Sequence, residues 1–481
     1  MLQYLKQRWS QEGGYKEVLV IAVPLILSTG SWSLQQFVDR MFLTWYSSEA
    51  IAASMPAGMA NWTIVSLFVG TAAYVNTFVA QYFGAKRPER IGPAVWQGIY
   101  LSVIAGALAI PFYFLAEPMF ALFNHGPEVL HLEIIYFQIL LFGAPFVVIG
   151  NATSSFFSGL GRTWIVMWVN VVATIGNVIL DYVLIFGNWG FPELGIVGAG
   201  WATVSAAAIA AVIFCVLLSS KENETQYNIR SGWRYDKDLF RRLIRYGAPN
   251  GAQFMLEIMA FTLFIFLVGE IGILELAASN IAFNINMLAF LPMFGLTIAI
   301  TILVGQRLGE NNEEMAEKTT WSAFHIGFSF FITLGIGYFL VPELFLWPFA
   351  SQADPAEFGP IGELAAVLLQ FVAFYCIFDA GVMVFSGALK GAGDTRFVAL
   401  ASVSLSWLLM LVPSVLSIYY FGGNIYWLWL FVTFYVVGLC GVFYWRFRQG
   451  SWKKMRVIEM EAPEPSQNGA PVERTEEADA V

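Results

Sequence analysis

The chain has 481 residues, is 58% hydrophobic and only 12% charged, and has a mean hydropathy of +0.65. Soluble proteins carry about a quarter charged residues, so a water-soluble globular enzyme is excluded and no nucleic-acid partner is expected. The net charge of −9 misleads about the body of the chain, because a Glu- and Pro-rich tail, Glu459 to Val481, contributes much of it and reads as disordered.

Lys6, Arg8 and Lys16 precede the first apolar run, and no small-residue cleavage pattern follows it, so the first helix reads as retained. From there, polar breaks and Gly/Pro clusters divide the chain into twelve helices over 17–46, 51–82, 92–122, 128–158, 163–187, 194–219, 243–270, 276–308, 316–349, 358–389, 396–421 and 425–447. A crossing needs roughly 20 apolar residues, so several of these must tilt or protrude into water. The alternating segments of about 10 residues that a membrane β-barrel requires are missing. Cys215, Cys376 and Cys440 sit singly in apolar runs, with no metal or disulfide spacing, and read as packing residues.

Charge placement supports this division. Lys86, Arg87, Arg90, Arg162, Arg307, Lys318, Lys390, Arg396, the segment Lys221 to Arg245 and the group Arg446 to Arg456 all fall on the side of the N-terminus. The opposite loops carry Glu128, Glu133, Glu193, Glu270, Glu275, Asp354, Glu357 and Glu363. That bias is the positive-inside pattern, which places both termini in the cytoplasm.

The twelve helices are six used twice. "AQYFGAKRPERIGPAVW" (80–96) matches "GQRLGENNEEMAEKTTW" (305–321) at Gln, Gly and Trp with an offset of 225 residues, which also pairs Pro24 with Pro249. "FSGLGRT" (157–163) and "FSGALKGAGDT" (385–395) echo one another at a slightly larger offset. An even number of crossings per repeat makes the copies parallel, predicting two six-helix lobes around a central cleft. The expected organisation is a cytoplasmic N-terminus (1–16), an N-lobe (17–219), a cytoplasmic linker (220–242), a C-lobe (243–447) and a cytoplasmic, disordered tail (448–481).

Few ionisable side chains remain inside helices: Asp39, Arg40, Asp181, Glu257, His325 and Asp379. An acid at mid-bilayer costs about 2.5–3.5 kcal/mol, and such residues face cavities and serve ion or substrate movement. Asn177 and Asp181 are one turn apart and share a face that could hold a proton or cation. Tyr375 stands in the same relation to Asp379 and offers a hydroxyl and a ring attractive to cations. Pro24 removes a hydrogen bond from the first helix and favours a kink there. Arg40 reads as snorkelling outward, and His325 as structural. There is no phosphate-cradling loop and no metal-ligand cluster, so ATP hydrolysis and catalysis are not expected and no cofactor is implied. Movement driven by an ion gradient remains.

These residues resemble the multidrug and toxin extrusion (MATE) family. "FSGLGRT" followed by "NVILDYVLIFGNWGFPELGIVGAGWAT", "GALKGAGDTR", "QRLGENN", and the early Pro24 with Asp39 carry the likeness over residues 16–447. The resemblance implies an all-α, twelve-helix, two-lobed antiporter of the inner membrane that exports amphipathic, cationic drugs or metabolites in exchange for Na⁺ or H⁺, acting as a monomer. It implies an N-lobe coupling site at Asp39, Asn177 and Asp181 with Asn151 and Thr203. It also implies a C-lobe site for cation or substrate at Glu257, Tyr375 and Asp379, the pattern of the NorM-type branch; Na⁺ is expected at either set. Arg40 departs from the small polar residue common after the first Asp. The alternative is a flippase of lipid-linked saccharides from the wider superfamily, in which cavity cations hold a pyrophosphate.

Overall fold

In an apolar run the backbone can satisfy its N–H and C=O groups only within a helix, and the computed structural model, which describes residues 8–122, 126–351 and 355–459, is built accordingly. Twelve of its helices are long and apolar enough to cross a membrane: α1 (Tyr15–Tyr46), α2 (Ser48–Gly84), α3 (Pro88–Phe120), α4 (Pro127–Gly159), α5 (Thr163–Phe186), α6 (Ile196–Leu218), α7 (Lys237–Ile271), α8 (Ile273–Gly309), α9 (Glu313–Leu340), α10 (Phe358–Ala392), α11 (Thr395–Phe421) and α12 (Ile425–Gln449). They match the expected spans to within a few residues, apart from the start of α7 and the end of α9. Helix α9 stops at Leu340 because Pro342 cannot continue it, and Pro342–Ala350 forms a separate short helix. Helix α7 already begins at Lys237, capped by the Asp236 carboxylate, and Lys221–Tyr227 is itself helical, so little of the linker is loop.

The two halves pack alike. In the N-lobe α4 touches α2, α3 and α6, and α5 lies against α1 and α6; in the C-lobe α10 touches α8, α9 and α12, and α7 lies against α11. Between the lobes α1 crosses α8 and α2 crosses α7, two contacts that the internal repeat interchanges.

The seam between lobes is made by glycines at one end of the molecule, the end carrying the basic loops. A Cβ on Gly84 would run into the Gln306 carbonyl, and one on Gly309 into the Gln81 carbonyl. The 225-residue offset carries one contact onto the other, Gly84 to Gly309 and Gln81 to Gln306. The same offset relates Gly70, which meets Gly251, to Gly295, which meets Ile26. Gln81 donates to the Gly391 carbonyl at 2.9 Å and Gln306 to the Gly159 carbonyl at 2.8 Å, each reaching into the opposite lobe. Tyr74, at the interruption of α2, donates to the Lys390 carbonyl at 2.7 Å, and Asn250 to the Gly70 carbonyl at 2.8 Å. One buried apolar cluster runs continuously through this region from Val18 and Phe78 to Leu303 and Ala392. Towards the acidic end the N-lobe has a core of its own, around Phe42, Phe120, Phe137 and Ile196. The lobes are therefore joined at the basic end and separately packed at the other.

Both terminal segments are docked. Gly13 seats against Met315 and Thr319 of α9, Ser322 donates to its carbonyl at 2.7 Å, and Tyr15 meets His325 Nδ1 at 3.3 Å. His325 thus holds the N-terminal segment. The expected disordered tail is corrected over 448–459: Trp452 is fully buried against Phe447 and Val457 is 1% exposed. A stacked aromatic pair anchors what composition read as solvated. The rest of that expectation, 460–481, lies outside the described residues. Pro24 is buried within an uninterrupted α1, two residues before the Ile26–Gly295 contact.

At Gly84 and Gly309 the facing atoms are backbone carbonyls, so no flexible side chain there can move aside for a Cβ. Gly84→Ala or Gly309→Ala should cost roughly 1–3 kcal/mol by overpacking, read as a lowered thermal midpoint in detergent. Gly176→Ala, whose Cβ would meet only Ile209 Cδ1 at 3.7 Å, should leave the midpoint unchanged.

Candidate functional site

The N-lobe gathers its acids at the end away from the seam. Asp39 on α1 is 6% exposed, and Asn177 and Asp181 on α5 are fully buried. The one-turn spacing on α5 points both side chains at α1. With its amide turned to donate, Asn177 Nδ2 lies 2.8 Å from Asp39 Oδ1 and 3.1 Å from Asp181 Oδ2. The two carboxyl groups lie within electrostatic reach of each other. Ionised carboxylates repel and only accept hydrogen bonds, so a shared proton or a cation would stabilise the pair. Asp181 Oδ1 and Thr203 Oγ1 are buried and unpartnered, leaving oxygens free for a further ligand. An all-oxygen set of this kind suits a proton or a hard cation. Among the described residues no three His, Cys, Asp or Glu side chains converge, which a transition-metal site would need.

Two sequence expectations come out differently. Thr203 on α6 joins the cluster together with Tyr136 of α4, a buried residue that the sequence did not single out and that lies within electrostatic reach of both acids. Asn151 does not join. It donates to its own helix at Val147 O, 2.9 Å away, and stands fifteen residues, about 22 Å of helix, from Tyr136. Its local hydrogen bond and its depth both keep it from the acids. Arg40 is exposed, on a different side of α1 from Asp39.

The C-lobe acids form two neighbouring groups. Gln253 is 6% exposed and donates to Glu257 Oε1 at 2.8 Å and to Ser402 Oγ at 3.0 Å. This repeats the amide one turn before a carboxylate seen at Asn177–Asp181, a spacing that was legible in the sequence. Ser402 precedes a π-helical turn at Ser406–Leu411, a widening often found at functional sites. Asp379 is 5% exposed with Oδ2 unpartnered. One turn earlier, Tyr375 accepts from Asn286 at 3.1 Å, and Cys376 donates to the other end of the same amide at 3.3 Å. Tyr435 of α12 lies within electrostatic reach of both Glu257 and Asp379 and brackets them into one interior. Lys390 stands within similar reach of Glu257.

Twelve crossings in two repeated lobes, buried acids in each, and a seam closed at one end define a membrane transporter rather than an enzyme. The chain belongs to the MatE family, whose model matches residues 24–183 and 249–416, the two starts being the pair Pro24 and Pro249. Among curated relatives it is 28% identical over 463 residues to a probable multidrug resistance protein NorM of Pseudomonas syringae pv. tomato, covering 94% of this chain and 98% of that one. This bears out the NorM-type resemblance. Two solved structures share the fold, each with a TM-score of 0.81, 19% identity and coverage of 93% of this chain and 98% of theirs. One is a MOP superfamily transporter from Pyrococcus furiosus described as having a binding pocket of reversed polarity; the other is an outward-facing multidrug resistance MATE transporter.

The two asparagines separate the contributions of position and residue type. Asn177→Ala removes a donor that favours the ionised acids, so it should strengthen proton binding about tenfold, seen as displacement of ²²Na⁺ at higher pH, whereas Asn151→Ala should change it less than about twofold. Binding of ²²Na⁺ to purified protein over a pH series reads both.

Proposed function

We propose that the protein is a secondary active antiporter of the inner membrane that exports amphipathic cationic drugs or metabolites in exchange for Na⁺ or H⁺. The observation that carries this reading is the Asp39–Asn177–Asp181 cluster, where two acids share one buried site and leave oxygens unpartnered. Such an arrangement is stable only with a cation or proton aboard, so its occupancy is tied to the ion supply at the end where the lobes are separate.

In this mechanism the lobes rock about the basic-end seam. The basic end faces the cytoplasm, consistent with the positive-inside bias. Substrate binds from that side when the seam is open, and ion entry from the other side discharges the acids and weakens their hold on it. Coupling demands that ion and substrate prefer different states, since equal affinity shifts nothing. Val20 O, left without its helical donor by Pro24, gives α1 a soft point just before its Ile26 contact with the seam. The NorM relative's name supports a multidrug substrate range. The saccharide-flippase reading asks for cavity cations; the excess of intramembrane acids at Asp39, Asp181, Glu257 and Asp379 favours a cationic cargo instead.

The test is transport of a fluorescent organic cation into inverted vesicles under imposed Na⁺ or H⁺ gradients. Asp39→Asn, Asp181→Asn and the double variant Glu257→Gln/Asp379→Asn should each fold yet lose at least about 90% of gradient-driven uptake, a loss typical of removing an intramembrane ionisable group from an ion path. Undiminished uptake in all three would refute the coupling role of the acids. Stimulation by only one of the two gradients identifies the ion.

A further inference from the structure

The segment following α12 crosses the seam. It leaves the C-lobe at Gly450, anchored by Trp452 stacked on Phe447 and by Lys453 against Glu317 at 2.5 Å. Arg456 then lies 3.8 Å from Glu313 of the same lobe. Val457 wedges into the seam itself. Its side chain lies against Gly393 of the C-lobe, while its amide donates at 2.8 Å to Gln81 Oε1 of the N-lobe. That is the same Gln81 whose amide nitrogen holds the Gly391 carbonyl. The segment's tip reaches the opposite lobe, where the Glu459 carboxylate accepts from Tyr82 at 2.7 Å and pairs with Arg90 at 2.9 Å and Arg87 at 3.5 Å; it also pairs at 2.6 Å with Arg242, near the start of α7 in its own lobe. Arg87 also holds the Glu459 carbonyl at 2.9 Å.

We propose that residues 450–459 are a latch across the basic end, with Glu459 as its bolt, which holds the lobes closed there and must leave Tyr82, Arg87 and Arg90 before the cleft can open to that side. The proposal rests on the reading that the lobes rock. It follows from where the bonds lie: the root of the segment is fixed to one lobe and its tip to the other, so any separation at the seam stretches it. Partial burial raises the pKa of Glu459, but the Tyr82 hydroxyl, its own backbone amide, Arg90 and Arg242 outweigh that and hold it below the usual carboxylate range. The bolt is therefore charged at neutral pH. Its side chain is 25% exposed, so water and salt can exchange for the arginines and the latch can release.

The test uses the full chain in lipid nanodiscs, with Cys215, Cys376 and Cys440 replaced by Ser. Spin labels at Glu222→Cys and Glu314→Cys report the basic end, and labels at Glu128→Cys and Glu270→Cys the other. Pulsed dipolar distances in the parent should show a short basic-end population that Glu459→Gln converts, by at least about threefold in population, to a longer one, as loss of a charged pair network would. Glu459→Asp should restore part of the short population. If Glu459→Gln does not give a monodisperse protein, Arg87→Gln/Arg90→Gln serves in its place with the same expectation. Distances unmoved by these variants but still moved by ions overturn the latch alone. Distances that no ion or substrate condition moves, in the parent as in the variants, overturn the rocking reading and the latch with it.

Discussion

The lobes approach backbone to backbone at Gly84 against Gln306, Gly309 against Gln81 and Gly251 against Leu67, and the rest of the architecture is arranged around these contacts. At these points no Cβ intervenes, so the helices cross tightly. The polar bonds added there are neutral amides on carbonyls, Gln81 to Gly391 and Gln306 to Gly159. In an apolar surrounding these are firm while made, and they carry no charge whose desolvation would oppose remaking them. Ion pairs are reserved for the watery rim, where Arg307 meets Glu12 and Glu17 and where Glu459 meets its arginines.

Deeper in the membrane the opposite logic holds, because charge is the purpose. Each lobe gives a carboxylate an amide one turn earlier, Asn177 for Asp181 and Gln253 for Glu257. An amide is both donor and acceptor. It can point its nitrogen at an ionised acid and, by turning over, its oxygen at a cation bound to that acid. A lysine in the same place could only donate and would favour one state of occupancy; the amide accommodates both.

The twelve crossings, the doubling and the buried acids were legible in the sequence because each is a local signal. A bilayer fixes the length of a span, a repeat fixes an offset, and an acid in an apolar run stands out. Asn177 was found for the same reason, being one turn from Asp181. What escaped was long-range or neutral. Tyr136, Asn286 and Ser402 are ordinary residues for a helix, and only the fold brings them to the acids. Asn151 was drawn in by resemblance and is left out by geometry, since its amide is already satisfied by Val147 O. The segment 450–459 escaped because composition weighs a tail as a whole, whereas Trp452 and Val457 alone suffice to seat it.

The repeat is kept in the seam and abandoned at the acids. Shifting Asp39 by the 225-residue offset reaches Phe264, which is fully buried, and shifting Glu257 back reaches Trp32. Glu257 therefore sits seven residues, about 10 Å of helix, nearer the seam than Asp39 does in its own lobe. In the fourth helices, the 228-residue offset of the FSG motif pairs Asp379 with Asn151, again on the seam side of Tyr136. The lobes thus carry their charge at different depths along one cleft. On the proposed function, a cation entering from the separated end would meet the Asp39–Asp181 pair first, while a cargo held near Glu257 and Asp379 would lie closer to the seam. An ion at the first pair would then weaken the hold on cargo at the second through the shared charge of one cleft, without having to occupy the same carboxylate.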